Sequence, residues 1–167
     1  MLDAITDIVN VKGFDARKYD PLFLFEIAPH LFWLREIQID YIPVKDIIID
    51  TFDKDGNKVY RYIKHSRVVK ALKGDYAEDD MHKQQNLIGE NNLQRLFSIF
   101  ESVRKNGYPF NDEYITLSNN IVIDGQHRAG AIYVLAPEAI IPVQHWIFHD
   151  NSPINRNIPY LRFELTD

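Results

Sequence analysis

The stretch IVIDGQHRAGAIYVL, residues 121–135, limits the fold more than any other part of this chain. An apolar run ends in Asp124 and Gly125. Gln126, His127 and Arg128 follow, then a run of small residues at helical spacing. The pattern predicts a strand, a tight turn and a helix start. Gly125 allows positive φ and a close backbone approach. The first turn of the helix presents N–H groups without intrahelical partners and a partial positive charge. His127 and Arg128 add side-chain donors at the same corner. This arrangement can bind an anion such as phosphate. It can equally be an ordinary strand–turn–helix whose arginine pairs with a carboxylate.

The string DGQHRAGA, residues 124–131, resembles the signature of the ParB/sulfiredoxin superfamily. There a Gly-x-x-Arg or Gly-x-His-Arg loop holds nucleotide phosphates. YIPVKDIII (41–49) is similar to the family's first strand. LQRLFSIFESVRKNGYP (93–109) is similar to its helix and turn before the middle strands, and AIIPVQHWIF (139–148) to the strand after the signature helix. The resemblance implies an α+β fold, a small mixed sheet with packed helices. It covers a core over 41–149 with an insertion near 50–90; the length predicts one domain over 1–167, which adds an N-terminal extension (1–40) and a C-terminal edge strand or tail (150–167). The resemblance further implies that Gly125, Gln126, His127 and Arg128 hold the phosphates of ATP or another nucleoside triphosphate.

Composition narrows the chemistry. Apolar residues make up 46% of the 167, enough for a real core. There is no cysteine, which excludes disulfides, thiolate metal sites and thiol catalysis. Sulfiredoxin chemistry needs a reactive Cys between the Gly and His of the signature, and Gln126 stands there. A formal charge of −5 argues against a general nucleic-acid binder. Met1 is followed by LDAITDIV, with Asp3 and Asp7 inside it, so no secretory leader is expected. No apolar run reaches membrane-spanning length. The expectation is a cytoplasmic protein with no membrane partner.

Residues 1–40 are rich in aromatics, among them Phe14, Phe23, Phe25, Phe32 and Trp33, and are expected to cap the core. IIIDTFDKDGNKVYRYI predicts a hairpin turning at Asp55 and Gly56; it lacks the ligand spacing of a calcium loop. A short helix is expected over 66–73, with Ser66 as N-cap. Arg61, Lys64, Arg67, Lys70 and Lys73 recur at every third position. They form either a solvated face or a cationic wall, and in the second case His65, Ser66 and Arg67 could bind substrate. Residues 75–91 read as a loop or a poorly packed helix.

Leu93, Leu96, Phe97, Phe100 and Val103 give the clearest amphipathic pattern, over 92–106. Arg95, Ser98 and Ser102 fall within about a 60° arc away from that stripe. Sulfiredoxins carry a Lys-x-x-Ser-x-x-x-Thr pattern on the equivalent helix, whose side chains contact ATP phosphates. Arg95, Ser98 and Ser102 fill the same slots; otherwise they belong to a water-facing side. ENNLQR (90–95) is similar to a box of the ParB partition proteins. It precedes the signature here and follows it there, so it carries no weight.

YITL and IVI flank SNN and predict a second hairpin over 114–123. The signature helix is expected over 127–135, ended by Pro137, and a strand over 140–148. His145 and His149 would lie about 13 Å apart on that strand, too far to share a metal, and no protein metal site is expected. The sequence contains no Walker A string or HExxH motif, and no Ser-His-Asp order is apparent.

The chemistry would then come from bound phosphate, with Mg2+ carried by the nucleotide. Asp124 could orient that ion, act as a base on an attacking hydroxyl, or cap the turn. His127 and Arg128 would stabilise charge on the phosphoryl oxygens. The first expectation is an enzyme, a kinase-like transferase moving phosphate from ATP to a small hydroxyl substrate, as the free-serine kinases of the superfamily do, or a nucleotide hydrolase. The alternatives are a ParB-like DNA-associated nuclease or partition relative, or a non-catalytic nucleotide switch. The acidic charge, and the absence of a helix–turn–helix pattern after the signature, count against DNA. A homodimer is compatible with all of these.

Overall fold

A computed structural model describes residues 2–78 and 92–167. The loop expected over 75–91 therefore lies, from 79 onward, outside the described residues. The chain opens with α1 (Leu2–Val9) and a 3-10 turn at Ala16–Lys18. In α2 (Pro21–Ile27), Asp20 caps the start by accepting from the Leu22 N–H at 2.8 Å, and Pro21 occupies the first turn. Then come β1 (Leu34–Pro43), β2 (Ile48–Phe52), β3 (Lys58–Tyr62) and α3 (Arg67–Leu72). The second half holds α4 (Asn92–Asn106), β4 (Thr116–Ser118), β5 (Ile121–Asp124), α5 (Gln126–Leu135), β6 (Ile140–Phe148) and α6 (Pro153–Asn157).

These elements make a mixed α+β fold around one six-stranded sheet, in the order β1-β6-β4-β5-β2-β3. β1–β6, β4–β5 and β2–β3 pair antiparallel; β4–β6 and β2–β5 pair parallel. Local chemistry fixes both hairpins. Asn119 and Asn120 each take positive φ (54° and 64°), the turn that matches strand twist between β4 and β5. Between β2 and β3 the Asp53 carboxylate accepts from the Asp55 and Asn57 N–H groups, both at 2.9 Å.

Both faces of the sheet are covered. On one, Ile49, Leu117, Val122 and Val143 pack with Ala129 and Ile132 of α5. On the other, Trp146 and Phe148 of β6 meet Phe14, Phe23, Leu24 and Ile27. Trp146 is 1% exposed, with the rings of Phe14, Tyr19 and Phe23 all within 6 Å of its own. The N-terminal segment is thus the second layer of the domain.

Three boundaries differ from expectation. β1 starts at Leu34, so residues 34–40 belong to the sheet and only the part before them forms the cap. The single strand expected over 41–49 is two strands on distant parts of the sheet, separated by the 3-10 turn Val44–Asp46 that follows Pro43. The C-terminal residues first form α6, then add one bridge to the outer edge of β3, where the Tyr60 N–H donates to Arg162 and Tyr60 accepts from Glu164. The β2–β3 hairpin is not an appendage, because β2 joins β5 at Ile48 and Ile121.

α5 and α3 touch through a glycine. A Cβ on Gly130 would stand 2.2 Å from Cγ1 of Val68, itself fully buried. Replacing Gly130→Ala should therefore overpack the contact and lower stability by about 1–3 kcal/mol. Urea unfolding at neutral pH checks this; an unchanged midpoint would contradict the contact.

Candidate functional site

β5 ends at Asp124, and α5 begins two residues later. Gly125 makes the turn at φ +97°, a conformation that strains any residue with a Cβ. Space imposes the same choice: a Cβ there would sit 3.2 Å from Cα of Ile115. No side chain caps α5. Its first turn opens into a cleft of about 660 Å³, within the range of small-molecule sites.

Three walls surround this cleft. Asp124, Gly125, Gln126, His127 and Arg128 form one corner. Arg67 from α3 and Asn92, Arg95 and Ile99 from α4 form a second wall, joined by Asp50 and Lys58 of the β2–β3 hairpin. The N-terminal segment supplies the third, with Arg17, Lys18, Tyr19, Asp20 and Phe23.

The Arg128 guanidinium is steadied but not locked in. Its Nη1 donates to the Tyr114 carbonyl at 3.2 Å, and its Nη2 lies 3.7 Å from the carboxylate of Glu113, an exposed side chain. Asp124 has no salt bridge among the described residues. Burial pushes its carboxyl up to about 6, assisted by the nearby Asp20 and Glu113 charges and opposed by Arg128 and the Gly125 N–H. A carboxylate with that property in a cleft can take up and release a proton near neutral pH.

Gln126 is a strut. Its Oε1 accepts from Arg67 Nη2 and its Nε2 donates to Asp50 Oδ1, while Lys58 lies 3.6 Å from the other Asp50 oxygen. Arg67 is 2% exposed yet reaches the cleft wall, so this chain holds a buried cation at the surface of the cavity.

The structure thus brings Arg67, Arg95 and residues 124–128 together. It does not bring Ser98, Ser102, His65 or Ser66 to the cleft wall. On α4 the lining stripe is Asn92, Arg95 and Ile99, which lies on the opposite side of Arg95 from Ser98 and Ser102. Ser98 is exposed, and the Ser102 hydroxyl accepts from Asn106 at 3.4 Å. Ser66 is fully buried and caps α3, accepting from the Val69 N–H at 3.2 Å. His65 turns a buried Nε2 into the interior.

Sequence reasoning missed Asp50, Lys58, Tyr19, Asp20 and Gln144. Their one legible signal is Gln144, a polar residue inside the apolar run of β6. The others come from segments whose approach to the cleft depends on tertiary packing. Among the described residues no His, Cys, Asp or Glu side chains gather into a metal-ligating group of three, and no helix is long and apolar enough to cross a membrane. Comparisons with protein-family models, curated proteins and solved structures find no match.

The Asp124 environment has a stability consequence. A folded-state carboxyl at about 6, against 3.8 for a free one, favours the protonated form. Its contribution is fullest below pH 3.8 and is lost as pH rises through about 6. The isosteric Asp124→Asn removes that loss. Relative to wild type it should gain up to about 3 kcal/mol on going from pH 4 to pH 8. Urea midpoints measured for both proteins across that range check the sign; a difference independent of pH would contradict it.

Proposed function

We propose that the cleft binds a nucleoside triphosphate and that the protein transfers its terminal phosphoryl group to a small hydroxyl-bearing molecule, on a fold of the ParB/sulfiredoxin type. One observation carries this reading above the others: an uncapped helix start, entered through a glycine at positive φ, opens beside Arg128 into a cleft of about 660 Å³. A helix start that no side chain caps and a half-anchored guanidinium suit phosphate oxygens. A phosphate at this corner takes the place of the Glu113 carboxylate beside Arg128. Arg67, Arg95 and Lys58 on the facing wall supply positive charge for the remaining phosphates, and the Mg2+ travels with them.

Asp124 supplies the base. The acceptor oxygen attacks the γ-phosphorus while its proton passes to the Asp124 carboxylate. The bond from the γ-phosphorus to the bridging oxygen breaks, and its electron pair leaves on the nucleoside diphosphate. His127 and Arg128 face the charge that grows on the transferred group. The raised carboxyl makes Asp124 a better proton acceptor than an ordinary surface aspartate while leaving it mostly ionised at pH 7.

Three outcomes test this. In calorimetric titrations with Mg2+ and ATP, ADP or CTP, wild type should bind at least one nucleotide, and Arg128→Ala should weaken that binding at least about tenfold. No binding by wild type, or an unaffected variant, would remove the proposal. Asp124→Asn should bind nucleotide within a few-fold of wild type yet lose about 10²–10⁴ in turnover. Wild-type kcat/KM should rise with pH through about 6.

A further inference from the structure

Gln144 lies on the floor of the cleft, in the middle of β6. Its Oε1 accepts from the Tyr19 hydroxyl at 3.0 Å and from Trp146 Nε1 at 3.2 Å. An indole nitrogen can only donate, so the atom facing Trp146 must be the amide oxygen. That settles which way the amide points. Both lone pairs of Oε1 are used, and Nε2, a donor only, has no protein partner among the described residues. The two donors are themselves held in place. Tyr19 and Trp146 sit in the cluster with Phe14 and Phe23, with their rings 5.3 Å apart and at 89°.

Sheet register places Gln144 relative to Asp124. Thr116 of β4 is paired with Asp124 on one side and with Gln144 on the other. A bulge interrupts the β4–β5 ladder beside Thr116, and across β4 the Cα atoms of Asp124 and Gln144 are two strand spacings, about 10 Å, apart. Their side chains both reach the cleft. A proton acceptor and a fixed hydrogen-bond donor thus line the same cleft.

The surrounding charge narrows what can lie there. Asp20 and Glu113 act on the same corner as Asp124. Arg128 opposes them there, but a carboxylate whose neighbouring hydroxyl lies at Asp124 is still repelled by the ionised Asp124 itself, and an ammonium cannot accept from Nε2. The apolar and aromatic wall of Leu22, Phe23 and Tyr19 suits C–H faces.

We propose that Gln144 selects the phosphoryl acceptor, donating to an oxygen of a neutral polyhydroxylated molecule whose reacting hydroxyl lies at Asp124. This deepens the phosphoryl-transfer reading and rests on it for the role of Asp124; Tyr19 and Trp146 are positioning residues for the amide.

The test uses 15N-labelled full-length protein. Glycerol and myo-inositol, each neutral, and lactate, which carries a carboxylate, are titrated in the presence of Mg2+ and a non-hydrolysable ATP analogue. The two polyols should move the Gln144 side-chain amide resonances, and lactate should bind at least tenfold more weakly. Gln144→Glu keeps both oxygens for Tyr19 and Trp146 but replaces the donor with an acceptor. It should weaken polyol binding at least tenfold, read from the backbone resonances of Thr116 and Asp124. If neither polyol moves Gln144, if lactate competes equally, or if Gln144→Glu binds polyol as wild type does, the proposal falls. The nucleotide reading is scored separately in the same samples, by whether the analogue alone shifts the backbone amides of Gln126, His127 and Arg128.

Discussion

The structure depends on how the chain turns from β5 into α5. Gly125 sits at φ +97° with its α-carbon hydrogens against the backbone of Ile115, so the strand ends and the helix starts within two residues. A longer turn would lift the start of α5 off the sheet edge and separate it from Asp124. A side chain at 125 would crowd the backbone of Ile115, just before β4. This one constraint puts a helix start that no side chain caps, a buried carboxylate and an arginine at the same corner. Because β5 lies inside the sheet, between β4 and β2, that corner is deep enough for walls to rise around it.

Those walls come from distant parts of the chain, and each serves the core as well. α3 approaches α5 through Gly130, and that closeness brings Arg67 to within a hydrogen bond of Gln126. The N-terminal segment covers Trp146 with aromatic rings, and the same burial lifts the Tyr19 hydroxyl up to about 12, keeping it a protonated donor to Gln144 at any physiological pH. Packing and polar geometry are therefore linked. Loosening the aromatic layer would free an amide on the floor of the cleft.

Much of the local structure was legible because short-range chemistry decides it. The apolar spacing of Leu93, Leu96, Phe97, Phe100 and Val103 gave α4, although Phe97 lies exposed on it, and Ser66 gave the start of α3. Asp55–Gly56 and Asn119–Asn120 gave the two hairpin turns. The corner at 124–128 was legible for the same reason, since glycine, small residues and charged residues at fixed offsets leave few local arrangements. What was not legible depends on rotation and docking. The periodicity of α4 placed Arg95 beside Ser98 and Ser102. Only the packing of Leu96 into the groove with Val68 and Ala71 decides which side of Arg95 faces the cleft. Gln126 looked like a ligand donor and is occupied by Arg67 and Asp50, a partnership that spans two other elements. The contribution of Tyr19 and Asp20 to the site had no local signature at all.

Whether the α5 corner holds phosphate is decided by a crystal structure grown with Mg2+ and a non-hydrolysable ATP analogue. Phosphate density should lie at the first turn of α5, with oxygens about 2.7–3.2 Å from the backbone nitrogens of residues 126–128 and from the Arg128 guanidinium. A saturated crystal whose nucleotide lies elsewhere, or whose cleft holds none while Arg128 stays closed on Glu113, would contradict it.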